Sequence, residues 1–173
     1  MTRVLRGAVL FGAVGLGLGC GGASQRAAES AGDVDAGVLA HNREIGTRYF
    51  NEVWNQGRVD VLDELLTDNY VNHTPSTPNP PRGPKGLKPI VQAIRQGFPD
   101  LHFQIEDMVV TKDRVVLRTV MTGTNTGELF GAPPTGRRVR VNQINIEEIR
   151  DGRIADHWRV TDELSIQKQL QAR

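Results

Sequence analysis

The chain has 173 residues, 38% of them hydrophobic and 24% charged, with 21 Lys and Arg against 20 Asp and Glu for a formal net charge of +1. That length holds one ordinary domain plus a tail and excludes a second domain of enzyme size. The near balance of charge argues against nucleic acid as the partner, and a single cysteine, Cys20, excludes an internal disulfide and a thiol-rich metal site.

In chain order, Met1 to Gly19 sets Arg3 and Arg6 ahead of Gly7 to Gly19, a stretch in which every residue is apolar or glycine. This is the charge-then-apolar layout of a secretory signal, and it is too short for the roughly 20 residues that a membrane-spanning helix needs. Leu16-Gly17-Leu18-Gly19-Cys20 resembles a bacterial lipoprotein signal. The resemblance implies a lipid on Cys20 and an exported, membrane-anchored protein, with plain secretion as the alternative. Removing residues 1–19 removes Arg3 and Arg6, which leaves 19 bases against 20 acids and a net charge of −1. Residues 20–37 are small and polar and read as a flexible tether, so that residues 38–173 form the domain.

Ile45, Tyr49, Phe50 and Val53 stand at helical spacing, with Gly57 as a stop. Val59 to Leu66 reads as a short second helix with Leu62, Leu65 and Leu66 on one face. Thr74 to Pro84 holds five prolines and is a loop. A third helix carries Leu87, Ile90, Val91 and Ile94, starts near Lys88 so that Pro89 falls in its first turn, and ends at Phe98-Pro99-Asp100. Alternation then takes over. Phe103 to Val110 and Arg114 to Thr124 flank Thr111-Lys112-Asp113 as one hairpin. Arg138 to Arg150 and Arg153 to Val160 flank the turn dipeptide Asp151-Gly152 as a second. Thr161-Asp162-Glu163 can start a terminal helix. Helices followed by an antiparallel sheet make an α+β layout.

Several short motifs share one order along the chain: Trp54-Asn55-Gln56-Gly57, Tyr70-Val71-Asn72-His73-Thr74-Pro75, Gly83-Pro84-Lys85-Gly86-Leu87, Thr122-Gly123-Thr124, Gly131 to Gly136, Asp151-Gly152-Arg153-Ile154, Asp156-His157-Trp158 and Asp162-Glu163-Leu164. Together they resemble the SnoaL-like polyketide or ester cyclases over about residues 38 to 171. The resemblance implies a cone-shaped α+β fold of the nuclear transport factor 2 type, with helices on a strongly curved, mainly antiparallel sheet around a pocket, commonly dimeric through the outer face of the sheet. It also implies a reaction without metal or other cofactor, in which a pocket carboxylate promotes intramolecular aldol ring closure of a small hydrophobic carbonyl compound. Fold alone does not fix function.

With Asp151 and Gly152 as turn residues, Ile149 faces Ile154, Glu147 faces Asp156 and Asn145 faces Trp158. These six share a face with Val141, Gln143 and Val160, while Ile144, Ile146, His157 and Arg159 take the other. A slip of one residue would exchange the faces. Asp156 is on this reading the general base, with Glu147 opposite it raising its pKa by like-charge repulsion; the alternative is that both acids are solvated. His73, which the resemblance places in the pocket, is the expected donor to a substrate oxygen, or else is bonded to its own loop. His157, turned away from Asp156, reads as structural. The expected substrate-binding set is Trp54, Tyr70, Arg118, Gln143, Asn145, Trp158 and Asp162. Either tryptophan can instead be core. Arg118, if inward, needs an acid partner and would then suit an epoxide hydrolase, and Asp162 can instead cap the last helix. Asn145 and Asn125 stand where cyclases of the resembled family often carry His, and Asn cannot exchange a proton near neutral pH. An exported module that binds an apolar molecule without turning it over is therefore the competing reading.

Overall fold

The computed structural model describes residues 36–171. The signal, Cys20 and most of the tether expected from the sequence lie outside them. The first helix, α1 (36–48), runs on into a π-helical stretch, Tyr49–Asn55. Its apolar spacing turns Ile45, Tyr49, Phe50, Val53 and Trp54 inward, and all five are buried. Gly57, at φ 75°, ends it as expected, with its N–H bonded to Val53 O at 3.1 Å and the Arg58 N–H to Glu52 O at 3.0 Å.

The second helix is shorter than predicted. A 3-10 turn, Val59–Val61, leads into α2 (Leu62–Leu65), and Leu66 already opens β1 (Leu66–Asn72), a strand the sequence reading did not anticipate. Only Leu66 and Tyr70 of β1 are buried. A spacing of four at an otherwise polar sheet edge carries no strand periodicity.

Helix α3 (Pro84–Gly97) begins four residues before the predicted Lys88, which places Pro89 inside it. Gly83 turns at φ 77° and Pro84 at the first position supplies a pre-set helical φ, a start signal stronger than the Pro89 objection. Pro89 is exposed, so the carbonyl it leaves unbonded can turn to solvent. Gly86 packs directly beneath the Pro81 carbonyl oxygen, where a methyl group would collide with it. Gly86→Ala is expected to cost about 1–3 kcal/mol through this overpacking, read as a lower urea midpoint.

The remaining strands are β2 (His102–Val110), β3 (Arg114–Thr124), β4 (Arg138–Arg150) and β5 (Arg153–Thr161), followed by α4 (Glu163–Gln171). Both predicted hairpins are present. The sheet order is β1-β5-β4-β3-β2, antiparallel except where β1 joins β5 in parallel, so the α+β sheet is mixed. On β4, Val139, Val141, Gln143, Asn145, Glu147 and Ile149 face inward, as alternation predicts.

On β5 the prediction fails after two pairs. Asp151 and Gly152 both take positive φ, 50° and 69°, as a two-residue hairpin turn requires, and Arg150 pairs with Arg153 and Ile149 with Ile154. Ala155 is then an extra residue. Beyond it Glu148 pairs with Asp156, Glu147 with His157, Ile146 with Trp158 and Asn145 with Arg159. Ile154 and Ala155 are both buried in succession, as a β-bulge allows. The bulge reverses the alternation, so His157, Arg159 and Thr161 join the inner face while Asp156, Trp158 and Val160 go to the outer one.

Candidate active site

Helices α1 and α3 cover the inner face of the sheet, and its middle is polar. Thr119, Gln143, Asn145, Glu147 and His157 are all buried there. Glu147 is 0% exposed and His157 4%. His157 Nδ1 lies 2.9 Å from Glu147 Oε1 and 3.0 Å from Oε2, so the carboxylate accepts from Nδ1–H, and in the neutral imidazole the lone pair is then on Nε2. Nε2 has no hydrogen-bond partner among the described residues. The ring lines a void of about 10 Å³ together with Tyr49, Trp54, Gln143, Asn145 and Arg159. That is room for roughly one water molecule.

Gln143 and Arg159 also line a larger cavity of about 400 Å³, a size suited to a drug-like ligand. Its walls are mainly apolar, from Ile94 of α3, Phe98 directly after that helix, Met121 of β3, Leu129 and Phe130 of the β3–β4 loop, and Ile166 of α4. The loop is held by buried Asn125. Its Nδ2 donates to the carbonyls of Gly97 (3.2 Å) and Gly127 (2.9 Å), and its Oδ1 accepts from Thr135 N at 2.9 Å and Oγ1 at 3.0 Å. Asn145 Nδ2 donates to Thr119 Oγ1 at 3.0 Å, while Gln143 Nε2 has only the Met121 sulfur, 4.0 Å away.

The π-helical stretch supplies the aromatic wall. Trp54 meets Tyr49 edge-on at 6.3 Å and Phe103 at 5.6 Å. Arg95 fixes this end of the stretch by donating to the carbonyls of Trp54 and Asn55 at 2.6 and 2.9 Å. A π-turn at this point, a feature often found at functional sites, brings Tyr49, Phe50, Val53 and Trp54 all to the buried side.

The chain's two tyrosines, Tyr49 and Tyr70, are both buried here. Burial, with the negative charge of Glu147 nearby, pushes both phenol pKa values well above the ordinary tyrosine range. Both hydroxyls therefore stay protonated near neutral pH, and that of Tyr70 has no partner among the described residues. The unfolded chain ionises its phenols near pH 10, so the stability at stake is whole below that pH and is lost as the pH rises above it. No phenolate absorbance at 295 nm is expected at pH 10 until the protein unfolds, and it should then appear together with the loss of ellipticity.

Of the residues singled out in the sequence, Glu147, Gln143, Asn145, Trp54 and Tyr70 fall on this inner site. Asp156 and His73 meet, with Nε2 2.7 Å from Oδ1, but away from Glu147: Asp156 also pairs with Arg150, and His73 stacks on Trp158 at 4.4 Å and 3°. The bulge at Ala155 is the reason, and the expected repulsion between Glu147 and Asp156 does not arise. Trp158 accordingly packs on His73 rather than on the cavity. Arg118 is exposed and pairs across the sheet with outward Ile144, because the inner residues of β3 are Val115, Leu117, Thr119 and Met121. The inward Arg and Asp pair required for the epoxide-hydrolase reading is absent among the described residues. Asp162 caps α4, its Oδ1 accepting the Ser165 N–H at 3.0 Å, and is exposed.

The sequence reading missed His157, Arg159, Thr161 and Tyr49. The first three follow from the bulge, whose one visible sign was the apolar pair Ile154-Ala155 before a charged residue. Tyr49 stands at helical spacing among apolar residues and so reads as helix core. Among the described residues no three His, Cys, Asp or Glu side chains gather as a metal site.

The model of the SnoaL-like polyketide cyclase family matches residues 45–170. The chain is 30% identical over 106 residues to nogalonic acid methyl ester cyclase of Streptomyces nogalater, covering 60% of this chain and 78% of that one. It is 31% identical over 124 residues to aklanonic acid methyl ester cyclase DnrD of Streptomyces peucetius, covering 69% and 83%. The solved structure of TsrD from Streptomyces laurentii superposes with a TM-score of 0.69 at 30% identity, covering 78% of this chain and 97% of that one.

Proposed function

Because this chain belongs to the SnoaL-like polyketide cyclase family, we propose that it is a cofactor-independent acid/base enzyme that closes a ring in a hydrophobic, polyketide-like carbonyl compound by intramolecular aldol addition. The observation that carries this reading is the buried Glu147–His157 pair, on a water-sized void that shares Gln143 and Arg159 with an apolar cavity. Glu147 orients the imidazole. Nε2 of His157 takes a proton, through that single water, from the carbon beside a substrate carbonyl. The amide of Gln143, left with only a weak sulfur contact, donates to the enolate oxygen. The enolate carbon then attacks a second carbonyl of the same molecule, forming the carbon–carbon bond, and the new alkoxide recovers the proton from His157. Electrons and protons balance within the substrate.

The base is thus assigned to His157 rather than to Asp156, which lies across β5 from the cavity. The test needs no native substrate. In D2O the protein is expected to accelerate exchange of the C1 protons of 2-tetralone, a flat ketone small enough for the cavity, above the rate in buffer at the same pD by proton NMR. Exchange at the buffer rate would overturn the enzymatic reading in favour of simple binding.

A further inference from the structure

Arg159 reaches the inner face only because of the bulge, and it lines the 400 Å³ cavity, the small void behind it and the polar mouth beside it. Its guanidinium has five N–H donors. One of them, on Nη2, meets the neutral Ser76 hydroxyl at 3.2 Å, and no carboxylate of the described residues comes within ion-pair distance of it. Glu147 is engaged with His157, Asp156 is on the other face, and Glu163, at the mouth, is exposed. The neighbouring Thr161 hydroxyl lines the same cavity and is buried without a partner. A half-buried cation among apolar walls is costly when nothing neutralises it. One cation also matches a monoanion better than a phosphate dianion.

We infer that the ligand of this cavity carries a free carboxylate, which Arg159 binds through paired N–H donors with the Thr161 hydroxyl beside it, while the apolar walls hold its hydrocarbon body. The inference rests on the proposed cavity function and narrows its substrate to hydrophobic acids, whereas the two relatives above are named for methyl esters. Bidentate geometry is what a guanidinium offers a carboxylate and cannot offer an ester to the same degree.

The probes are anthracene-2-carboxylate and its methyl ester, titrated by fluorescence into the full chain. The acid is expected to bind about 10–100-fold more tightly, the worth of a charge-assisted hydrogen-bonded pair. Arg159→Met should bring the acid down to the affinity of the ester and leave the ester where it was, and Arg159→Lys should restore part of the preference. Equal affinities in the parent protein, binding of neither probe, or an Arg159→Met protein that keeps the preference would overturn the inference. Exchange of 2-tetralone protons reads the catalytic proposal separately. Exchange without acid preference sinks the carboxylate site alone, and acid preference without exchange sinks the catalytic reading alone.

Discussion

A His157→Asn protein is expected to bind methyl anthracene-2-carboxylate as the parent does and to lose about 10²–10⁴-fold of its acceleration of tetralone exchange, the usual worth of a positioned general base. The choice of Asn matters. Its amide nitrogen falls near the Nδ1 position, so it can still donate to Glu147, whose carboxylate is 0% exposed and would otherwise be left buried and alone. What Asn removes is Nε2. An exchange rate close to that of the parent would show that the proton goes elsewhere, and Asp156→Asn, expected to leave exchange unchanged, is the control that tells the two acids' surroundings apart.

The second large effect concerns a residue with no chemistry. Inserting one alanine directly after Ala155 is expected to destabilise the domain by more than about 4 kcal/mol, seen as a collapse of the urea midpoint or failure to accumulate folded protein. With one more residue ahead of it and the bulge otherwise kept, Asp156 falls opposite Glu147 and Trp158 opposite Asn145. Two carboxylates would then share a buried site, a tryptophan ring would be driven into space now held by His157 and Arg159, and the pairing of Asp156 with His73 would be lost. An insertion variant with the midpoint of the parent would mean that the strand absorbs the added residue in a wider bulge and keeps the same faces.

These two residues mark the boundary of what could be read in the sequence. The hairpins were legible because Asp151-Gly152 is a turn dipeptide and β4 alternates strictly, and β4 accordingly delivered Gln143, Asn145 and Glu147 to the right face. A bulge has no such local code. It is set by whether Ile154 and Ala155 can both be buried, which depends on packing across the sheet. From Ala155 onward each inference about β5 was therefore inverted, and His157 read as structural while Asp156 read as the base. Arg118 was misplaced for a different reason. Its apolar neighbours Val116, Leu117 and Val120 belong to both faces of β3, so hydrophobic surroundings in sequence did not mean a buried side chain. β1 was missed because an edge strand with two buried residues four apart mimics a helix turn.

The hydrogen bonds of Asn125 have a bearing on specificity. One side chain joins the end of α3, the start of the β3–β4 loop and its far end at Thr135, and the backbone of the same residue pairs with Arg137 and Gly136. The loop is thus closed at its neck, and residues 128–134 hang from that neck as a self-contained flap carrying Leu129 and Phe130, two walls of the cavity. A flap closed at the neck can grow or shrink without moving β3 or β4. The breadth of molecules the cavity accepts can therefore drift freely, while the Glu147–His157 pair on the sheet stays in register.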